Sequence, residues 1–429
     1  MVYNLRGPSK ERTPSNVKLG IMVVVLGLAY LFSNFHRLSL SVISPNLVAD
    51  FNINTAALGI LGSAYFYPYA AMQIPAGSIF DRFGARLTVS ISLVIAGIGS
   101  LWFGYAKSFT ELVIARGFIG LAVAFIYVPA LGALRTWFSE KNFGVLTGLM
   151  LSMGMIGALS TSVPLAFLSK LYGWREVFSV VGFVSLALAV LSWFTVLGKK
   201  VEQTSTAVTK KSAEYSANLK KIILKPGFII LVIWFFFFAG TKLAFQSLWG
   251  AQYFSNVYHF NPDQISLTLL LLAVGNIVGS PLAGRLADIF GNFKILVWTG
   301  LLCTILWGYM ALVSGAMPFS MASIFYLVLG LLSGGCLSSS FSSIRTFASK
   351  EYSGSLLGFT NCAAFLGGAI MTQGTGSLLK MLLYMGIVTS YRILYFLFFV
   401  VVGLLTLLLY LTNWPKKLED SQEVVASAR

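Results

Sequence analysis

Apolar runs of about 20 residues recur along almost the whole chain, and each is long enough to cross the roughly 30 Å hydrocarbon layer of a bilayer. In lipid every backbone N–H and C=O must be bonded within its own segment or to a neighbouring one, which leaves helices and closed barrels. Runs of this length and apolarity are helices. Only 10% of residues are charged, against roughly 25% in soluble domains. The sequence therefore predicts an all-α membrane protein. Twelve spans are expected, over 18–43, 55–80, 86–106, 108–137, 142–169, 174–197, 228–257, 264–289, 294–314, 318–347, 354–382 and 389–412.

The basic residues sort by side. Lys107, Lys170, Arg175, Lys380 and Arg392 fall on the odd-numbered connections and adjoining helix ends, and Arg37, Arg116 and Lys242 lie deep within spans. The other 22 of the 30 Lys and Arg residues sit at the termini and the even-numbered connections. Both termini and the central loop are expected in the cytoplasm, in a bacterial inner membrane. No apolar centre interrupts residues 1–17, so a cytoplasmic tail is expected there and no cleaved signal. A six-helix bundle over 18–198, a lysine-rich linker over 199–227, a second bundle over 228–412 and a tail over 413–429 follow. The linker carries seven lysines against two glutamates and reads as flexible, with room for a helix on anionic lipid.

An internal repeat supports two bundles. RTWFSEKNFGVLTG (135–148) aligns without gaps to RTFASKEYSGSLLG (345–358), with Arg135/Arg345, Thr136/Thr346, Ser139/Ser349, Gly144/Gly354, Leu146/Leu356 and Gly148/Gly358 identical. GSIFDRFGAR (77–86) resembles GRLADIFGNFK (284–294). Six spans per repeat preserve orientation, so the repeats are parallel, as in one plan of secondary transporters. Pairs such as Gly144/Gly148, Gly354/Gly358 and Gly275/Gly279 read as close helix packing.

Several functions lack their residues. The pI near 9.7 reflects topology rather than a nucleic-acid patch. Cys303, Cys336 and Cys362 fall in apolar segments without CxxC spacing, and only two histidines exist, so no metal or cofactor is expected. No G-x-x-x-x-G-K-[ST] is present for an ATP-driven pump, and no clustered His, Asp and Ser set supports an enzyme.

Two cations stand out. Arg37 and Lys242 lie in apolar segments at matching places in the two halves, 205 residues apart. A charge at bilayer depth costs about 3 kcal/mol on insertion scales, and neither helix offers a carboxylate partner. The pairing points to a transient anionic partner, a substrate. Tyr30, Asn34, Arg37 and Ser41 share one face of the first span. Lys242, Gln246, Trp249 and Tyr253 share one face of the seventh. Tyr65 and Tyr69 of the second span are further candidates for substrate contact.

The G-x-x-x-D-R-x-G-x-R pattern of Gly77, Asp81, Arg82, Gly84 and Arg86, with twelve spans and a basic central loop, resembles the major facilitator superfamily. The second copy keeps Gly284, Asp288 and Gly291 and has Ile289 where the family often has Arg. The resemblance implies that fold, with a monomer moving a small solute by alternating access. It also implies a latch at these two loops, with Arg135 and Arg345, that bridges the halves in the outward-facing state. Arg116, in an R-x-x-x-G pattern with Gly120, either lines the cavity or braces helices. The fifth span lacks the G-x-x-x-G-P-x-x-G-G pattern of drug–proton antiporters. Arg37 followed by Pro45 is similar to the organophosphate–phosphate antiporters, with Lys where their second cation is often Arg. The stretch over 35–86 resembles the phagosomal nutrient permeases of Legionella and Francisella, which implies amino acid or nucleoside import.

The expectation is a transporter of a small anionic or zwitterionic solute, amino acid-like, whose carboxylate neutralises Arg37 and Lys242 and lets the bundles close. An organophosphate antiporter and a transporter-like solute sensor are the alternatives. All 14 acidic residues fall in loops, tails or helix ends. His36 is therefore the one candidate proton site, and uniport or exchange needs none.

Overall fold

The computed structural model describes residues 15–198, 208–315, 317–347 and 350–412. The expected tails lie outside these except for 15–17, as do linker residues 199–207. The described residues form twelve helical spans. These are α1 (Asn16–Phe51), α2 (55–83), α3 (85–105), α4 (Phe109–Trp137), α5 (Glu140–Ser160, continued by Val163–Tyr172), α6 (Trp174–Thr195), α7 (Pro226–Asn256), α8 (Pro262–Phe290), α9 (Asn292–Val313), α10 (Phe319–Ile344), α11 (Lys350–Leu382) and α12 (Ile387–Thr412). A separate linker helix spans Val208–Ile223. Eleven helices among the described residues are long and apolar enough to cross a bilayer. The remaining span, α2, is assembled from two pieces: Thr55–Met72 and, after a break before Pro75, 75–83.

Local chemistry sets the ends. Ser15, Asn54 and Ser108 accept from backbone N–H groups at the starts of α1, α2 and α4, and Asn261 with Gln264 forms a reciprocal capping box on α8. The two signature turns are built alike. Gly84 (φ +74°) separates α2 from α3, and Gly291 (φ +92°) separates α8 from α9. A residue with a Cβ is strained in that backbone region, which explains why glycine recurs in both copies. Buried Ser and Thr hydroxyls donate to carbonyls three or four residues back, as Ser92 does to Thr88 and Thr268 to Gln264.

Small residues let helices touch. A Cβ on Gly120 would lie 2.1 Å from the Tyr65 carbonyl oxygen, and one on Gly157 2.1 Å from that of Leu31. On α8, Gly275 and Gly279 would meet the Leu327 and Leu331 carbonyl oxygens at 2.2 and 1.9 Å. The packing expected of that pair is present. It is absent at Gly144, Gly148, Gly354 and Gly358, where a Cβ would have nothing within 4 Å. Their expected role in close packing is not filled in this conformation, because neighbouring helices do not reach them.

The halves meet along α2 and α11. This seam runs from Thr55 beside Gly376, through Tyr67 donating to Gln373 Oε1 (2.8 Å), to Asn361 Nδ2 donating to Gln73 Oε1 (2.9 Å). At the end of the bundle away from the linker, Gln252 Nε2 of α7 donates to Ser44 Oγ of α1 at 2.9 Å. Among the described residues the seam's hydrogen bonds stop at Gln73–Asn361. The halves are closed at the far end and part towards the linker end.

Candidate functional site

Arg37 is half-buried on α1. Its Nη1 donates to Asn34 Oδ1 at 3.1 Å and its Nη2 to Tyr69 Oη on α2 at 3.0 Å. The guanidinium also lies 5.2 Å from the Tyr69 ring and 4.9 Å from the Phe365 ring of α11, contacts that favour a cation over an aromatic face. Asn34 is held in turn by donating to the Tyr30 carbonyl (3.0 Å), and Tyr30 stacks on Tyr127 at 4.7 Å. Tyr65 is stacked behind Tyr69 at 5.7 Å. The structure thus gathers Tyr30, Asn34, Arg37, Tyr65 and Tyr69 in one cluster. Arg37 Nε is buried without a partner.

Lys242 is half-buried on α7 and faces other neighbours. The orientation of the Asn276 carboxamide that satisfies its surroundings turns its oxygen to Lys242 Nζ (2.5 Å) and to the Gly334 backbone N–H (3.2 Å). Ser280, one turn further along α8, donates to the Gly334 carbonyl at 3.0 Å, which fixes α8 to α10 at this level. Among the described residues the ion pair found is Arg175 with Asp50, on α6 and α1 near the far end. Neither Arg37 nor Lys242 has a carboxylate partner there.

The two cations correspond in detail. Lys242 follows Arg37 by 205 residues, and Asn276 follows Tyr69 by 207. In each half a cation on the first helix donates to a polar side chain on the second.

The expected face over 242–253 is not regular. Five residues, Phe245–Trp249, form a π-helical turn in mid-span, and this extra residue per turn breaks the α-helical spacing assumed for Lys242, Gln246, Trp249 and Tyr253. Gln246 lines a void of about 10 Å³ with Ser41, Ala158, Thr161, Leu269 and Ala273, room for about one water. Trp249 is 1% exposed and donates to the Thr372 carbonyl of α11 (3.0 Å). Tyr253 bonds Ser314 at 2.9 Å inside the second half.

Arg116 is 1% exposed, with Nη1 donating to the His36 carbonyl at 2.7 Å and the guanidinium 5.0 Å from the Tyr65 ring. Through these contacts Arg116 joins α4 to α1 and α2. The His36 ring is fully buried beside Phe35 and Phe178, and neither ring nitrogen has a hydrogen-bond partner.

At the linker end Asp81, Arg82, Arg135 and Asp288 are exposed. Arg86 Nε instead donates to the Val196 carbonyl at 2.8 Å, closing the C-terminus of α6. A Cβ on Gly77 or Gly284 would meet nothing within 4 Å. Arg345 stands in the short turn Arg345–Phe347, its side chain outside the described set.

Three residues beside the cations were not singled out from sequence: Phe365, Tyr127 and Asn276. Asn276 had a signal, being an amide in the middle of the apolar run LLLLAVGNIVG and one repeat on from Tyr69.

The sequence model of the Major Facilitator Superfamily matches residues 26–372. A probable sulfoacetate transporter, SauU, of Cupriavidus necator is 26% identical over 63% of this chain and 64% of its own length, just under two thirds. A probable hexose phosphate transport protein of Chlamydia trachomatis is 23% identical over 90% of this chain and 89% of its own. Among solved structures, a bacterial homolog of the human lysosomal transporter Spinster, inward-facing and unoccupied, superposes with a TM-score of 0.77 at 16% identity, over 92% of this chain and 98% of that one.

Proposed function

The chain belongs to the major facilitator superfamily, and on that premise we propose that it carries a small organic anion by alternating access, with Arg37 and Lys242 as the charged contacts. One observation carries this: two half-buried cations at equivalent places in the two halves, each held by neutral partners and neither by a carboxylate among the described residues. An anion supplies the missing charge. Its binding is differential, because it stabilises the state in which the halves approach over the state in which they part.

The same charge count narrows the solute. An amino acid-like substrate, the sequence expectation, brings an ammonium for which no acidic side chain stands beside Arg37 or Lys242 among the described residues. Tyrosine rings are left to receive it. A solute with two negative charges, a sugar phosphate or a sulfonate bearing a carboxylate, neutralises both cations. Two of the relatives are named for solutes of these kinds.

The distribution of Lys and Arg supports a cytoplasmic linker end, and on that reading this conformation is open inward. Asp81, Arg82 and their counterparts then form their latch in the opposite, outward-open state. Without a solute, two unneutralised cations oppose closure, so exchange of one anion for another is the proposed cycle. His36, enclosed and unpartnered, is not needed in it.

The test is thermal-shift binding with purified protein and a panel of sulfoacetate, hexose 6-phosphates, hexuronates, amino acids and nucleosides. A shift with one anionic class that disappears in Lys242→Gln and in Arg37→Gln supports the reading. A shift seen only with uncharged or zwitterionic solutes, or one that survives both substitutions, overturns it.

A further inference from the structure

The linker helix Val208–Ile223 ends two residues before Lys225, which precedes the first residue of α7, Pro226. Its C-terminal turn therefore lies where α7 enters the bilayer. One side of it is docked. Tyr215 stacks on Tyr352 of α11 at 4.7 Å, and its hydroxyl meets Ser355 Oγ at 2.9 Å. Asn218 Nδ2 donates to the Tyr352 hydroxyl at 3.4 Å, and Leu219, Ile222 and Ile223 pack against the core.

The other side is open: Lys220, Lys221 and Lys225 are exposed, together with Leu224 at 58%. The stretch YSANLKKIILK over 215–225 contains no acidic residue to pair with them. A cationic row without a carboxylate partner among the described residues, with an apolar residue among it and set at the membrane boundary, has the composition that anionic headgroups attract.

We infer that this face binds anionic lipid headgroups of the leaflet at the linker end, and that the bound lipid holds the first turns of α11 through the Tyr215–Tyr352 stack. The same end of α11 carries Gly354 and Gly358, which have open space beside them. Closing the linker end requires that end of α11 to move. Anionic lipid thereby favours the state open at the linker end.

The test is hydrogen exchange of the protein in nanodiscs of phosphatidylcholine alone and of phosphatidylcholine with phosphatidylglycerol. Phosphatidylglycerol should slow exchange of amides 215–223 and of α11 residues 352–358, by about fivefold for each lysine that reaches the leaflet. High salt should reverse the effect. The triple variant K220Q/K221Q/K225Q should lose both protections. Tyr215→Leu should keep the first and lose the second. Equal exchange in both membranes, or full protection in the triple variant, overturns the lipid site. Protection of α11 that survives Tyr215→Leu overturns the coupling.

Discussion

Lys242 and Asn276 are joined at 2.5 Å between α7 and α8, in the place where Arg37 and Tyr69 are joined at 3.0 Å between α1 and α2. The repeat has kept an arrangement, a cation aimed by a neutral acceptor, while exchanging both residues that make it. A neutral acceptor orients the cation without cancelling its charge, so the charge stays available to a solute.

Replacing the acceptor should therefore weaken binding without abolishing it. Asn276→Leu leaves the Lys242 ammonium in place but unaimed. Anion affinity should fall about tenfold, near the worth of one hydrogen bond to a charged group, whereas Lys242→Gln should cost about thirtyfold or more. Isothermal titration with the anion found in the panel separates the two. Equal losses would mean that Asn276 holds the solute itself.

Arg116→Met should behave oppositely. It removes the charged donor of the His36 carbonyl, which keeps Ser39 Oγ, and costs about 1–3 kcal/mol of stability, read as a lower Tm in detergent. The anion Kd should stay within about twofold, the size of a few tenths of a kcal/mol. A large change in Kd with unchanged Tm would put Arg116 in the binding site.

The glycines divide by what surrounds them. Gly279→Ala brings a methyl to within 1.9 Å of the Leu331 carbonyl oxygen, and the forced separation of α8 and α10 should cost about 1–3 kcal/mol. Gly354→Ala meets nothing within 4 Å and should leave stability within about 0.5 kcal/mol of wild type. Thermal unfolding of the two variants side by side checks this.

A cross-link across the far end should stop the cycle. With Ser44 and Gln252 both replaced by cysteine and bridged by a short bifunctional thiol reagent, exchange of labelled anion in proteoliposomes should be lost. It should return when a cleavable bridge is cut. Undiminished exchange across the intact bridge would mean that the far end does not open.

The spans were legible because a bilayer demands about 20 apolar residues per crossing, and nothing else in this chain competes with that signal. Where spans break was not. Over 55–80 the sequence predicts one unbroken span, whereas it breaks at 73–74, because Pro75 lacks the N–H that would continue the helix. The π-turn in α7 has no sequence mark at all. Arg37, Asn34 and Tyr30 could be grouped from helical spacing alone. Phe365 could not, since it comes from α11 through the packing of the two halves, and Tyr127 arrives by stacking from α4.

The interruption of α2 has a mechanical meaning. α4 is also interrupted, between Val123 and Tyr127, and the pieces beyond the two breaks press together where a Cβ on Gly132 would lie 2.1 Å from the Phe80 ring. They form a short lever arm whose fulcrum sits level with the last hydrogen bond of the seam. The α2 piece, at about 1.5 Å per residue, is roughly 14 Å long, and Asp81 and Arg82 ride near its tip. A swing of about 15° about that fulcrum carries the tip roughly 4 Å, on the scale of one helical turn. Travel of that size can be made at one end of the molecule while the grip between Thr55 and Gln73 and their α11 partners stays whole.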